Sequence, residues 1–303
     1  MSRERQQQTI TPRVALAAGD ELGEGPVWRP ADGELLRVDI LRGLVHAWCP
    51  ASGAERVLAS FDGQVAAAVP CGDGSLVVAV DHDLVHVDRA GRRAMVASAE
   101  RAKPENRFND CRCDPQGRLW AGTMSKRRDP GAAALYRLDA DRVLRCVVPG
   151  TTLSNGIGWS PDGATMYFID STTQRIDRFD FDGATGALSG RRPFALVEAA
   201  DGMPDGLAVD AEGGVWVALF GGGAVRRYGP DGRCDAILEL PVPHPTCPAF
   251  GGPGLATLYV TTTRHRLSQA ERAGHPLAGA VFACEPGVRG LPATVSSVGS
   301  LAS

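Results

Sequence analysis

The chain has 303 residues, 44% of them hydrophobic, and a formal net charge of −3. That is enough apolar content for a globular core, and it excludes the strongly basic surface that nucleic acid or an anionic membrane calls for. No apolar stretch reaches the roughly 20 residues of a membrane span, and the start, MSRERQQQTI, has no apolar secretory core, so the expected address is the cytoplasm.

Residues 1–10 read as a flexible leader, and Val14-Ala15-Leu16-Ala17 as a short strand with no local partner. Six times thereafter a short apolar run follows an X-Gly turn: Asp32-Gly33, Asp73-Gly74, Gln116-Gly117, Asp162-Gly163, Glu212-Gly213 and Pro253-Gly254. The glycines lie 41, 43, 46, 50 and 41 residues apart, the length of a propeller blade. After each turn comes a strand rich in aliphatic, β-branched and aromatic residues, such as Leu76-Val77-Val78-Ala79-Val80 or Val215-Trp216-Val217-Ala218-Leu219. A third, more polar strand follows, such as Val45-His46-Ala47-Trp48, and then a fourth, such as Arg56-Val57-Leu58. The last unit lacks a fourth strand unless Ala293-Thr294-Val295 supplies it. Val14 to Ala17 is expected to fill that place and close the ring, which hides two sheet edges. One or two helical turns are expected over Leu267 to Ala273. The expected fold is therefore all-β: a single six-bladed β-propeller domain of four-stranded blades spanning residues 1–303.

The first strand of each blade precedes the turn and lines the central channel, so the turn glycine serves as a ruler. Eight residues before Gly117, Gly163, Gly213 and Gly254 stand Asn109, Asn155, Asp205 and Thr246. Glu24 lies nine before Gly33, and Gln64 ten before Gly74. Taken singly, an Asn or Asp here fits a turn former. Taken as a register-matched set with the Glu of Gly23-Glu24-Gly25-Pro26, these oxygens fit a site for a hard cation. The eight cysteines contain no C-x-x-C and the six histidines no H-E-x-x-H, so thiolate and imidazole zinc motifs are not expected.

The segments LGEGPVW (22–28), RFNDCRCDPQGRLWAGTM (107–124), SNGIGWSPDG (154–163), PDGLAVDAEGGVWVA (204–218) and AFGGPGLATLYVTT (249–262) resemble, in order, those of the gluconolactonase/regucalcin family of six-bladed lactonases, also called the senescence marker protein family. The resemblance implies that Glu24, Asn155 and Asp205 bind one divalent metal, whether calcium, zinc, manganese, magnesium or ferrous iron. It implies that Arg107 and Asn109 hold substrate, with Asn109 near the metal and a ligand in related propellers. One departure stands out: several members follow A-G-T-M with an acidic segment, whereas Ser125-Lys126-Arg127-Arg128-Asp129 is basic here. That segment reads either as a solvated loop or as a basic rim suited to acidic or phosphorylated sugars.

The expected activity is metal-dependent opening of a sugar lactone to its aldonic acid, with Asp205 as catalytic base and the chain a monomer. Two alternatives stand beside it. One is an esterase or organophosphatase on the same scaffold, and the other a non-enzymatic calcium-binding propeller. Ser154 lacks the G-x-S-x-G context of a serine esterase.

Overall fold

The computed structural model describes residues 8–298, and its strands form six sheets arranged in a ring, five of four strands and one of five. The first strands of the blades are Gly23–Arg29, Val65–Pro70, Asn106–Cys113, Ser154–Trp159, Met203–Val209 and Pro245–Gly251. Each touches the first strand of the next blade, and the sixth touches the first, so the six enclose one channel. No helix among the described residues is long and apolar enough to cross a membrane. The expected short helix is Gln269–Gly274, begun by a capping box in which Ser268 and Glu271 exchange hydrogen bonds.

All six turn glycines have positive φ, from 63° at Gly33 to 85° at Gly117, a conformation that side chains with a Cβ rarely adopt. In blades three and five the turn also carries an aspartate. Asp114 accepts from the backbone of Gln116 and Arg118, and Asp210 does the same for Glu212 and Gly214. The second oxygen of each aspartate accepts the indole N–H of a fully buried tryptophan, Trp120 at 3.0 Å and Trp216 at 2.9 Å. One side chain thus shapes the turn and satisfies the polar atom of the largest core residue beside it. The core lies between blades: Trp120, Trp159, Phe168 and Phe181 fill the junction of blades three and four, and Trp216, Phe250 and Phe282 that of blades five and six.

The ring closes as expected from the sequence. Arg13–Leu16 pairs antiparallel with Val281–Cys284, so the N-terminal strand becomes the fourth strand of blade six. Part of the expected leader is ordered instead. Gln8–Ile10 adds a parallel fifth strand to blade five, because the edge at Cys234–Glu239 offers unpaired backbone groups and a place to bury Ile10. Residues 1–7 lie outside the described residues. The segment Ala293-Thr294-Val295 is no strand. It is part of a strap, anchored at blades five and six where Ala211 and Gly290 bond to Arg289 and Leu255. Across the channel, Ser296 and Ser297 donate to Pro70 and Gly117 of blades two and three. The strap covers a largely apolar cavity of about 290 Å³ at that end, bordered by Trp28, Arg112, Trp159 and Phe250.

Every first strand is interrupted by a β-bulge at the same level of the channel. In blade three, Asn109 and Asp110 together face the single residue Gly122, and in blade five Asp205 and Gly206 face Ala218. A bulge breaks the alternation of a strand and re-aims the side chains at it. These six interruptions position the site.

Candidate metal and substrate site at the channel mouth

Glu24, Arg107, Asn109, Asn155 and Asp205, singled out from four different blades, line one small cavity of about 90 Å³ at the end of the channel opposite the strap. Asn109 and Asp205 sit within their bulges, and Glu24 and Asn155 are the last paired residues before theirs. The other two counted-back positions stand apart. Thr246 spends its hydroxyl on the Gly23 carbonyl at 2.6 Å and on Thr261, tying blade six to blade one. Gln64 precedes its strand, with its N–H bonded to Asp81, and does not line the cavity. The bulge residue of blade two is Ala66, which lies eight before Gly74. The glycine ruler holds there, and blade two simply carries a methyl group at that place.

The side chains are oriented by one another. Asn155 donates from Nδ2 to Ser171 Oγ at 2.8 Å, which turns its Oδ1 toward the cavity, where it accepts from Asn109 Nδ2 at 2.7 Å. Asn109 also donates to the Ser154 carbonyl at 2.9 Å, and its Oδ1 accepts from Arg107 Nη1 at 2.8 Å. Arg107 Nη1 is held further by the Phe108 carbonyl at 2.7 Å. Asn109 therefore commits its oxygen to the arginine and its nitrogen to Asn155, and acts in this geometry as the strut between them. The neighbouring Ser154 hydroxyl is fully buried and shared with Thr151, so it is no nucleophile.

Two carboxylates face this network without a partner of opposite charge. Among the described residues neither Glu24 nor Asp205 forms an ion pair, and Glu24 accepts only the Gly25 N–H at 3.0 Å. Burial, reinforced by Asp110, pushes Glu24 up to about 8. Burial, with Glu24 and Asp110 adding repulsion, holds Asp205 well above the usual carboxylate range. Asp110, beside Asn109 in the bulge, has a buried Oδ2 without a hydrogen-bond partner. The desolvated Arg107 is brought down to about 10. Two buried acids raised by burial and by neighbouring carboxylates, with an amide oxygen fixed beside them, have the donor chemistry of a hard divalent cation site, since a cation would let both carboxylates ionise.

Sequence reasoning missed four contributors. Asp110 and Arg112 follow Asn109 on the same strand. Strict alternation would turn Asp110 away, and only the bulge brings its charge to bear on Glu24. Arg112 donates to the Pro26 carbonyl at 3.0 Å and reaches Cys247 Sγ at 3.4 Å, bridging first strands across the channel. His265 and Arg266 come from the loop after the second strand of blade six, and both line the cavity. Burial, followed by the charge of Arg266, keeps His265 below its ordinary value. The basic segment divides: Lys126 and Arg127 are exposed, with Arg127 paired to Glu105, while Arg128 turns in and lines the cavity. The remaining walls are Leu22, Ile40, Met124, Leu153, Met203 and Phe220.

Comparison with known proteins identifies a family and a set of relatives for the chain. Residues 22–264 match the family described as "SMP-30/Gluconolactonase/LRE-like region". The chain is 37% identical over 276 residues to 6-deoxy-6-sulfogluconolactonase of Pseudomonas putida, covering 89% of this chain and 92% of that one. It is 37% identical over 279 residues to regucalcin of Danio rerio, covering 90% and 94%. Among solved structures, a calcium-binding protein, regucalcin, from Agrobacterium tumefaciens superposes with a TM-score of 0.91 at 34% identity, over 96% of this chain and 98% of that one.

Proposed function

We propose a lactonase function for this chain, which belongs to the SMP-30/gluconolactonase/LRE-like family. The reaction is hydrolysis of a sugar lactone to its aldonic acid, with one divalent cation held by Glu24, Asn155 and Asp205. The observation that carries this reading is the convergence of those three side chains with Arg107 and Asn109 at one channel mouth. The names of relatives as a sulfogluconolactonase and as a calcium-binding regucalcin support it.

A bound divalent cation supplies polarisation of the ester carbonyl and acidification of a water. The protein does the rest. Asp205, one of two carboxylates at the mouth, takes the proton of the attacking water. Arg107, pinned through Nη1, keeps Nη2 for the hydroxyls of the sugar or for the carboxylate that forms when the ring opens. Asn109 keeps the arginine and Asn155 in register. Met203, Phe220 and Leu153 exclude bulk water from the reacting carbonyl. A purely structural ion has no use for a buried arginine without an ion pair beside it, which favours catalysis over a binding role alone.

Titration of acid release from gluconolactone, xylonolactone and arabinonolactone, with and without complete chelation, tests the reading. Rates above the spontaneous background are expected, and they are expected to vanish on chelation and return with added cation. Rates that survive full metal removal would sink the cation's role.

A second expectation concerns stability. In the metal-free protein Glu24 holds its proton up to about pH 8, whereas the unfolded chain releases it near the ordinary glutamate value. Between those points the native state binds more protons, so stability falls as pH rises and levels off above the folded pKa. Melting temperatures in chelator should therefore drop from about pH 5 to about pH 9, and added calcium or manganese should restore them most at the alkaline end. A flat profile in chelator would count against the buried carboxylates as the cause.

A further inference from the structure

The cavity holds more positive charge than hydrolysis of a neutral sugar lactone uses. Three guanidinium groups line it, from Arg107, Arg128 and Arg266. Among the described residues none of the three is in an ion pair, although nearby arginines are: Arg127 with Glu105 at 2.8 Å, Arg226 with Asp201 at 2.5 Å and Arg272 with Glu21.

Arg128 comes from blade three and Arg266 from blade six, which face each other across the ring. Their loops bring two like charges together over the opening. After burial, Arg266 is the group that most holds down the pKa of Arg128, with Asp205 acting in the opposite sense. Both residues sit on left-handed backbone, with φ of 59° at Arg128 and 68° at Arg266. Such conformations cluster at ligand clamps, where strain is retained for function. Arg128 is half-buried and its Nε lacks a hydrogen-bond partner, while Arg266 is exposed at the rim.

We propose that Arg128 and Arg266 form a clamp for an anionic substituent of the substrate, so that the preferred lactone carries a phosphate, sulfonate or carboxylate at the end remote from its ester carbonyl. This rests on the lactonase reading above. Paired guanidinium forks match such oxyanions in geometry as well as charge. The bound anion would offset the repulsion between the two arginines and join the two loops into a roof over the reacting end. Arg107, deeper and tied to Asn109, remains with the ester.

The test compares gluconolactone with counterparts bearing a phosphate, a sulfonate or a carboxylate on the terminal carbon. It uses the unaltered protein, Arg266→Glu and the double variant Arg128→Gln/Arg266→Gln, with Arg127→Gln as control. At least one charged lactone is expected to exceed the neutral one in kcat/KM by roughly 10- to 100-fold, the worth of one charge-assisted contact. Arg266→Glu is expected to abolish that advantage, and Arg127→Gln to leave it intact. Which of the three anions gains most separates a tetrahedral from a planar group. A neutral lactone preferred by the unaltered protein overturns the proposal. So does an equal loss on charged and neutral lactones in the double variant, which would assign both arginines to the product carboxylate. Calorimetric titration with gluconate and with its terminal phosphate gives an answer independent of turnover. Tighter binding of the phosphate by about tenfold or more, lost in Arg266→Glu, supports the clamp even if no lactone is hydrolysed, which would defeat the lactonase reading alone. Equal binding of the two overturns the clamp.

Discussion

Asp205→Asn is expected to lower kcat/KM for any hydrolysed lactone on the order of 10³-fold while leaving the fold intact, the loss typical of removing a positioned general base. The substitution keeps the shape of a side chain that is only 7% exposed and that sits in a bulge whose neighbour Gly206 packs against Cys247, so the backbone has little reason to move. It also removes one of the two carboxylates that repel each other. The metal-free variant should therefore be as stable as the parent at acid pH and more stable above neutrality, since an amide cannot ionise. The stabilisation by added cation should shrink with the lost ligand; for the parent that amounts to about 2.7 kcal/mol at a cation concentration of 100 times Kd. Three measurements decide together: lactone hydrolysis, metal content and melting temperature. Activity within tenfold of the parent in a variant that has lost its metal response would remove Asp205 from the chemistry.

The largest effect on stability should come from a chain beginning at Asp20. It would lose Arg13–Leu16, the fourth strand of blade six, and Gln8–Ile10, the strand added to the edge of blade five. The pairing with Val281–Cys284 would go, along with the packing of Ala15 and Leu16 against the cluster that contains Trp28 and Tyr259. Three or four backbone hydrogen bonds in blade six at about 1 kcal/mol each and the buried Ile10 side chain at about 1.5–3 kcal/mol bring the loss to about 5 kcal/mol. That approaches the whole stability of an ordinary domain, about 5–15 kcal/mol. The start at Asp20 spares the buried Asp20–Arg37 ion pair, so the loss can be assigned to the two N-terminal strands together. Melting followed by circular dichroism, with size-exclusion chromatography to detect pairing at the newly bared edge, checks this. A truncated chain that melts with the full-length protein would show that blade six does not need its borrowed strand.

Much of this architecture was legible because a propeller repeats. The turn glycines recur at blade length and all adopt the left-handed backbone that makes them glycines. Counting back from them picks out Asn109, Asn155 and Asp205, which line one cavity. Glu24 fell one residue out because the bulge of blade one places Gly25 and Pro26 where the other blades hold their own irregular residues, and Gln64 was a misreading of a blade whose position is Ala66. His265, Arg266 and the strap over the far cavity were not legible as site elements, and the sequence could not tell which residue of the basic segment turns inward as Arg128 does. They lie in connections whose course is set by contacts with other blades, such as Lys126 N–H with the Glu105 carbonyl or Ser297 N–H with that of Gly117, and no period runs through them. Asp110 was hidden differently, since the alternation rule points it the wrong way and only a bulge reverses it.

The bulges occur in all six blades, including the two whose bulge residues, Ala66 and Thr246, do not line the mouth. The backbone thus provides six equivalent addresses around one axis, and the residue type at each decides what that address contributes. Thr246 uses its address for a bond to blade one, and Ala66 leaves its own blank. Ligand number and charge at the mouth can therefore change one codon at a time, with no rearrangement of the ring. A scaffold built in this way separates the problem of folding from the problem of chemistry, so descendants of one propeller can exchange metals and substrates while their blades stay superposable.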